Sequence, residues 1–253
     1  MNPEEEDRQK ERNNDLVFSY MTLRNLIGFS GMFLPLILYI FTDRAPADNR
    51  VEPSISDYYY TSNGDVLVVI LCTLSVFLFT YNGYGWREKI WTIQAAVCGL
   101  GIAFSPTVTK YSRESFSVHT SLNEVPHVFG VERHLLFAGW FFICLSIIAL
   151  VYFPKTDATS DVNVEGDRTA KGKRNLVYRL CGIAMLLCVV MLALYFQVPA
   201  FQNTMGDFPI VFTLETVAIE AFGISWITKG ETLWPDREHY LAYAFWQVRS
   251  FFH

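Results

Sequence analysis

Six long apolar segments, separated by polar connectors, dominate this sequence. They cover residues 16–41, 65–81, 90–104, 134–153, 176–200 and 209–227. A helix needs about 20 mainly apolar residues to cross the hydrocarbon core of a bilayer, and most of the segments approach or exceed that length. Because 51% of the 253 residues are hydrophobic and only 18% are charged, a soluble globule would have difficulty hiding so much apolar surface. The sequence therefore predicts an all-α polytopic membrane bundle of six transmembrane helices.

The distribution of Lys and Arg predicts the orientation of this bundle. The two tails and the second and fourth connectors together carry thirteen of these residues, and the remaining connectors carry five. Cytoplasmic connectors carry the excess of Lys and Arg, so both termini are expected in the cytoplasm. The expected domains are a cytoplasmic polar tail (1–14), a transmembrane domain (15–228) with a cytoplasmic loop (154–175), and an amphipathic helix (229–253). This helix either lies at the inner membrane surface or packs on the cytoplasmic face of the protein itself.

Charge and cysteine content exclude several classes of partner and site. The net charge of −5 and the pI near 5.5 argue against nucleic acid. All five cysteines fall inside apolar segments and none forms a CxxC pair, so neither a disulfide framework nor a cysteine metal site is expected. The lipid bilayer is the expected partner, and association into a homo-oligomer is left open.

Ionisable groups at membrane depth are costly and indicate function, and several converge on the outer side. Asp65 opens the second segment, His134 opens the fourth, and Glu215 lies less than two turns into the sixth. Asp57 and Tyr59 directly precede the second segment. These five residues predict a ligand-binding or proton-titrating site. The structural alternative is that Asp65 caps its helix, while His134 lies at the interface and Glu215 is a lone hydrogen-bonded acid.

A second polar cluster is expected in the inner half of the bundle. Arg24, Gln94, Arg179 and Glu220 lie at comparable depths from the cytoplasmic ends of their segments. The alternative is that both arginines extend to the cytoplasmic headgroups and that Glu220 is protonated or bonded to a neighbouring backbone.

A metal site is a further alternative for the outer residues. Asp65, His127 and His134 could bind zinc, with Glu215 as the acid/base of a lipid hydrolase. No HExxH or HxxxH pair supports this alternative, and without it no cofactor is expected. The sequence also lacks GxSxG and SxxK motifs, so a serine nucleophile is not expected.

Five stretches of the chain are distinctive. They are, in order, LRNLIGFSGMFLPLIL, SISDYYYTSNGDVLVVILCTLSVFLFTYNGY, GIAFSPT, KRNLVYRLCGIAMLL and LETVAIEAFGISWITKGE. In this order they resemble a family of bacterial six-pass integral membrane proteins of unknown function. Family members usually begin the second segment with an Arg-Asp pair, whereas Gly64 precedes Asp65 here, so a cation is missing.

This resemblance implies a bacterial inner-membrane location and brings no known activity. It directs attention to a set of six residues: Asp57, Tyr59, Asp65, His134, Glu215 and Lys229. A looser likeness reaches alkaline-ceramidase-like and progestin-receptor-like membrane hydrolases. The HxxxH zinc pair of that superfamily is absent from this sequence, so the likeness is an analogy of architecture.

Three functions remain as expectations. The main one is a polar intramembrane site, open to the outer face, that binds or transports a small molecule, an ion or a lipid headgroup. The first alternative is the metal-dependent lipid hydrolase. The second is a structural or regulatory membrane subunit. A non-enzymatic role is favoured by the absence of catalytic motifs.

Overall fold

The computed structural model describes residues 15–42, 51–83, 85–105, 107, 127–128, 131–155, 169–206 and 208–230, with side chains omitted for 15–20 and 127–128. The elements are helices α1 (Asp15–Phe41), α2 (Gly64–Thr80), α3 (Trp86–Ala103), α4 (Arg133–Ile147), α5 (Ala170–Gln197), α6 (Pro199–Met205) and α7 (Ile210–Lys229), a 3-10 helix (Ser56–Tyr60), a π-helical turn (Ile148–Tyr152), and antiparallel strands β1 (His127–Val128) and β2 (Val131–Glu132). The expected polar tail, most of the expected cytoplasmic loop and nearly all of the expected amphipathic helix lie outside the described residues.

Within the part of the chain that the structure describes, four helices are long and apolar enough to cross a membrane, and they indicate a membrane protein. The qualifying stretches are Met21–Phe41, Arg133–Tyr152, Ala170–Gln197 and Ile210–Lys229. The sequence predicts six crossings, and the other two long helices fall short of the same standard. Helix α2 is apolar but has only 17 residues. Helix α3 has 18 residues, but its first turn includes three charged ones in the run WREK.

The six long helices form a closed ring in which neighbours in sequence are also neighbours in space. Helix α2 packs between α1 and α3, and α4 packs between α3 and α5. Helix α7 closes the ring by packing against both α5 and α1. Packing of successive helices side by side is the usual arrangement in helical bundles. Because α7 has extensive contacts on two sides, its spanning stretch is the most enclosed of the four.

Glycines allow close helix approach at two of the crossings. Between α1 and α7, an added Cβ on Gly223 would overlap Met32 and lie 2.8 Å from the carbonyl oxygen of Gly28. Between α2 and α3, an added Cβ on Gly99 would overlap the hydroxyl group of Ser75. Small residues at such crossings bring backbones together, and the resulting van der Waals contact is a main source of helix association in lipid.

Large apolar side chains cover the outside of the ring. Helices α1 and α5 expose them along most of their described length, with Phe33, Ile40, Leu180 and Leu187 among the most exposed. The other long helices add further exposed apolar side chains, among them Val69, Ile90, Trp140 and Val217. An apolar surface of this extent is unusual for a protein in water and is suited to contact with hydrocarbon.

Hydrogen-bonded polar side chains gather at the two opposite ends of the ring, which we name after one buried residue each. The His134 end contains the α1–α2 connector and the starts of α4 and α7. The Lys229 end contains the α2–α3 turn, the end of α4 and the end of α7. Lys89, for example, donates to the carbonyl oxygens of Phe79 and Tyr81 at 2.6 and 2.8 Å, and so satisfies the last carbonyl groups of α2.

Candidate functional site at the His134 end

The connector that follows α1 folds back over the His134 end, and we call residues 51–60 the capping segment. Its second half is the 3-10 helix Ser56–Tyr60. A 3-10 helix has three residues per turn, so Ile55 and Tyr58 face the same side. Their exposed fractions are only 5% and 0%, and the ring of Tyr58 packs against that of Phe212 with centroids 6.2 Å apart. The capping segment is therefore docked into the mouth of the ring.

Backbone and side-chain hydrogen bonds join the capping segment to α7. The carbonyl oxygen of Pro53 accepts from the backbone N–H of Phe212 at 2.9 Å. One turn further along α7, Oε2 of Glu215 accepts from the backbone N–H of Ile55 at 2.7 Å. Residues three apart on a helix lie on the same face, so a single face of α7 holds the segment in place.

His134 joins the capping segment to α3 and α4. Its Nε2 lies 2.8 Å from Oγ of Ser56, and its Nδ1 lies 2.6 Å from the carbonyl oxygen of Ser105. A carbonyl oxygen only accepts, so Nδ1 carries a hydrogen. In the neutral imidazole, Nε2 then has a free electron pair and accepts a hydrogen bond from the hydroxyl group of Ser56. His134 and Ser105 are buried, with exposed fractions of 4% and 8%, whereas Ser56 is half-buried.

A cavity of about 60 Å³ lies inside the ring directly below the capping segment. Its wall is built mainly from apolar side chains of α1, α2, α3, α4 and α7, including Leu34, Leu71 and Phe141. Among the residues that line it, Ser56 and Glu215 carry the polar side chains. A smaller cavity of about 10 Å³ lies beside it and is lined by Ser56, His134 and Tyr59 among others. Ser56 therefore borders both cavities.

Asp57 lies on the other side of the capping segment. The hydroxyl group of Thr107 lies 3.4 Å from Oδ1 of Asp57 and donates to it, and the Asp57 backbone N–H donates to Oγ of Ser54 at 3.0 Å. Burial raises the pKa of the Asp57 carboxyl group, and the nearby charge of Glu132 adds to this effect. Hydrogen bonds from Ser54 and Thr107 act in the opposite direction and offset it in part.

The structure brings four of the five predicted outer residues to the capping segment or its neighbours. Asp57 and Tyr59 belong to the segment, and His134 and Glu215 bond to it. Asp65 is separate, because it lies in the first turn of α2 with an exposed side chain. A carboxylate is favoured there by the helix dipole, but the N-cap residue of α2 is Asn63 and not Asp65, as the structural alternative had it.

The residues proposed for zinc do not fit one metal ion. The side chain of Asp65 is exposed, whereas His134 is buried and both of its ring nitrogens already have partners within 2.8 Å. The side chain of His127 lies outside the described residues. Among the residues that the structure describes, no group of three His, Cys, Asp or Glu side chains could hold a metal.

The expected inner cluster is not assembled. Gln94 instead accepts from Nε1 of Trp140 at 3.2 Å on the outside of the ring. The side chain of Arg179 is exposed, as expected for an arginine that extends along the lipid surface to the headgroups. Glu220 is half-buried, and within the described residues no hydrogen bond joins it to Arg24. The prediction compared only the depths of these residues in the membrane. It did not determine toward which neighbouring helix each side chain points.

Arg24 belongs to a different network at the Lys229 end. Its guanidinium donates to the carbonyl oxygen of Lys229 at 3.3 Å and lies 5.6 Å from the ring centroid of Tyr81. Lys229, which is 5% exposed, donates to the carbonyl oxygen of Phe153 at 3.0 Å. The hydroxyl group of Tyr81 donates to Oε1 of the buried Glu88 at 3.0 Å. A buried charge is tolerated when it is hydrogen-bonded in this way.

Several aromatic rings close the Lys229 end around this network. Trp226 packs edge-on against Tyr81 and Phe153, with centroids 4.8 and 5.3 Å apart. Tyr178 packs edge-on against Phe153 at 5.3 Å. Sequence reasoning missed most of this network, since Lys229 was singled out by the resemblance alone. The signal that could have indicated it is the density of aromatic residues beside cations at these helix ends.

The four apolar helices and the buried polar groups between them define a helical membrane protein with a polar site at one end of its ring. No family model, no curated protein and no solved structure matches the chain. The function is therefore argued from the geometry of the site.

Proposed function

We propose that this chain is a membrane-embedded binding protein for a small amphipathic molecule. The observation that carries the proposal is the cavity of about 60 Å³, whose apolar wall has Ser56 and Glu215 as its polar members. Ligand sites of this kind combine a largely apolar wall with a few polar groups that fix orientation. The apolar part of the ligand would fill the cavity, and its polar end would contact Glu215.

The chemistry of Glu215 selects the polar end of the ligand. A carboxyl group in an apolar cavity is costly unless it has partners, and it is a functional candidate by default. One of its oxygens accepts from Ile55. A ligand that carries an amine or a hydroxyl group would donate to the carboxylate, whereas a ligand with a carboxylate of its own would be repelled.

The size of the cavity makes the capping segment the entrance. A water molecule needs roughly 10–15 Å³ of such space, so about 60 Å³ holds a few waters or a short apolar chain. Ile55 and Ser56 of the capping segment form part of the cavity wall, so movement of this segment away from α7 would admit a larger molecule. The opposite end is closed by the rings of Trp226, Phe153 and Tyr178, so binding from the His134 end is favoured over transport through the ring.

We further propose that all six long helices cross the membrane, with the His134 end outside and both tails in the cytoplasm of a bacterial cell. The closed ring supports six crossings, because α2 and α3 pack between spanning helices. The 17 residues of α2 extend for roughly 25 Å at 1.5 Å per residue. The excess of Lys and Arg in the tails and in the connectors of the Lys229 end supports the orientation.

Butylamine, butanol and butyrate share one short chain and differ in the polar end, so they test the site. Ligand-observed NMR on the detergent-purified chain should show binding in the order amine, alcohol, carboxylate. In Glu215→Gln the preference for amine over alcohol should fall by about tenfold or more, because a hydrogen bond to a charged group contributes roughly 1.5–3 kcal/mol.

Glu220→Gln is the matched control, since Glu220 lies on the same helix outside the cavity lining. It should keep the wild-type order of binding. Equal binding of all three molecules, or the same loss in both variants, would contradict the proposed site.

A further inference from the structure

Ser56 and His134 are arranged as a nucleophile and its general base. The 2.8 Å separation of Oγ and Nε2 is within the range found in enzymes that activate a serine. The carbonyl oxygen of Ser105 fixes the hydrogen on Nδ1, which leaves Nε2 as the proton acceptor. In serine hydrolases a third group orients the imidazole in the same way. No sequence motif predicts this pair, because its members are 78 residues apart.

The surroundings of the pair determine the kind of substrate. Ser56 borders the main cavity, so an apolar acyl chain in that cavity would place its carbonyl carbon near Oγ. His134 is only 4% exposed, which limits competition from bulk water for its Nε2 atom. We propose that Ser56 and His134 carry out acyl transfer from a small ester to water. Since the acyl chain would occupy the main cavity, this activity rests on the proposed function.

The reaction balances with water as the second substrate. Oγ of Ser56 forms a bond to the carbonyl carbon while its proton moves to Nε2 of His134. The bond between that carbon and the alcohol oxygen then breaks, and the alcohol leaves with the proton from Nε2. In the second half, water gives a proton to Nε2 and its oxygen bonds to the acyl carbon. The bond between that carbon and Oγ of Ser56 then breaks, Oγ takes the proton back from Nε2, and the acid leaves.

The backbone groups near Ser56 determine how fast this reaction can be. The N–H of Ile55 donates to Glu215, and the N–H groups of Asp57 and Tyr58 donate to Ser54 and Ile55. These donors are engaged and are not aimed at a developing oxyanion, which is usually a large source of catalysis. Turnover is therefore expected to be slow, and probes with a good leaving group are the suitable reagents.

An alkyl fluorophosphonate tests the nucleophile directly, because Oγ bonds to phosphorus while the P–F bond breaks and fluoride leaves. Intact mass and peptide mapping of the detergent-purified full chain should show one adduct, at Ser56. Ser56→Ala should abolish it. Ser62→Ala, which changes an exposed serine just beyond the capping segment, should label like the wild type.

His134→Gln separates a base from a structural partner, since glutamine can hydrogen-bond to Ser56 but cannot accept its proton. The labelling rate should fall by about a hundredfold or more in a variant whose thermal unfolding midpoint shows that it is folded. Release of nitrophenol from p-nitrophenyl butyrate should show the same dependence on Ser56 and His134.

Two results would overturn the acyl-transfer role. One is a folded wild-type chain that takes up no fluorophosphonate at Ser56 in prolonged excess. The other is an unchanged labelling rate in folded His134→Gln. If either occurs while butylamine still binds in a Glu215-dependent way, the binding site stands and the nucleophile alone is rejected. If amine binding fails as well, the cavity itself is not a ligand site.

Discussion

At the scale of single residues, the polar groups of the His134 end depend on backbone partners. Glu215 is bonded to the N–H of Ile55, and His134 to the carbonyl oxygen of Ser105. The carboxyl group of Asp57 accepts hydrogen bonds from Ser54 and Thr107. Burial nevertheless raises the pKa of this carboxyl group, so the charge of Asp57 opposes folding.

Asp57→Asn should raise stability at neutral pH. Because the folded state raises the pKa of Asp57 above 3.8, it binds the proton more tightly than the unfolded chain does. The contribution of Asp57 to the stability of the wild type is therefore greatest below the pKa that this group has in the unfolded chain. That contribution is lost as the pH rises through the pKa of the folded state. Asparagine keeps an acceptor for Thr107 and carries no charge.

Thermal unfolding in detergent between pH 4 and pH 8 measures this difference. The midpoint of Asp57→Asn should exceed that of the wild type at pH 7, and the gap should narrow towards pH 4. Asp65→Asn is the control, because that side chain is exposed and should give no such gain. A lower midpoint for Asp57→Asn at pH 7 would show that ionised Asp57 stabilises the fold.

Sequence reasoning could select His134, Glu215 and Asp57 because ionisable residues near apolar segments are rare and conspicuous. It could not predict their partners. Glu215 is 160 residues from Ile55 in sequence, and a backbone N–H or carbonyl group exists at nearly every position and gives no signal. Ser56 was missed for a related reason, since a serine in a connector is unremarkable until a histidine is placed beside it.

At the scale of elements, the crossing of α1 and α7 depends on two glycines. Met32 and the carbonyl oxygen of Gly28 leave no space for a side chain at Gly223. In contrast, Gly139 on α4 has open space around its Cα, with nothing within 4 Å of an added Cβ. The two positions therefore provide a matched pair for testing how tightly the ring is packed.

Gly223→Ala should destabilise the chain by about 1–3 kcal/mol, because an extra methyl group in a packed interface forces the helices apart. Gly139→Ala should be neutral or slightly stabilising, since alanine is the better helix former. Thermal unfolding in the same detergent compares the two variants. Equal midpoints for both would show that α1 and α7 can separate at little cost.

The helices themselves were the most predictable feature, because a long apolar segment in a membrane can satisfy its backbone hydrogen bonds in few structures other than a helix. All six predicted segments correspond to long helices, although α2 and α3 fall short of the length or composition required of a span. The capping segment was not predicted. Its residues SISDYYY have turn-forming and polar character, and only the buried Ile55 and Tyr58 distinguish it from an ordinary surface connector.

At the scale of the whole molecule, the ring with its two polar ends supports the proposed orientation. Ser62 lies at the His134 end and Gly85 at the Lys229 end, and both are exposed. The five native cysteines all lie within helices, so single new cysteines at these two positions report on the two faces of the membrane.

Ser62→Cys should react with a membrane-impermeant maleimide in intact bacteria. Gly85→Cys should react only after the cells are permeabilised, and the wild type provides the background. Reaction of both positions from the same side would contradict the proposal that α2 crosses the membrane between them.

Ring closure through α7 also has a consequence for biosynthesis. Arg24 on α1 bonds to Lys229 on α7, 205 residues later. At a translation rate of about 5–20 residues per second, that interval takes roughly 10 to 40 s. During this time α1 lies in the bilayer before α7 is present to pack against its glycine residues and to accept the hydrogen bond from Arg24. The nascent chain therefore stays incomplete until α7 leaves the ribosome. On the proposed topology, a premature stop within α7 would leave the earlier helices inserted without the helix that packs between α5 and α1.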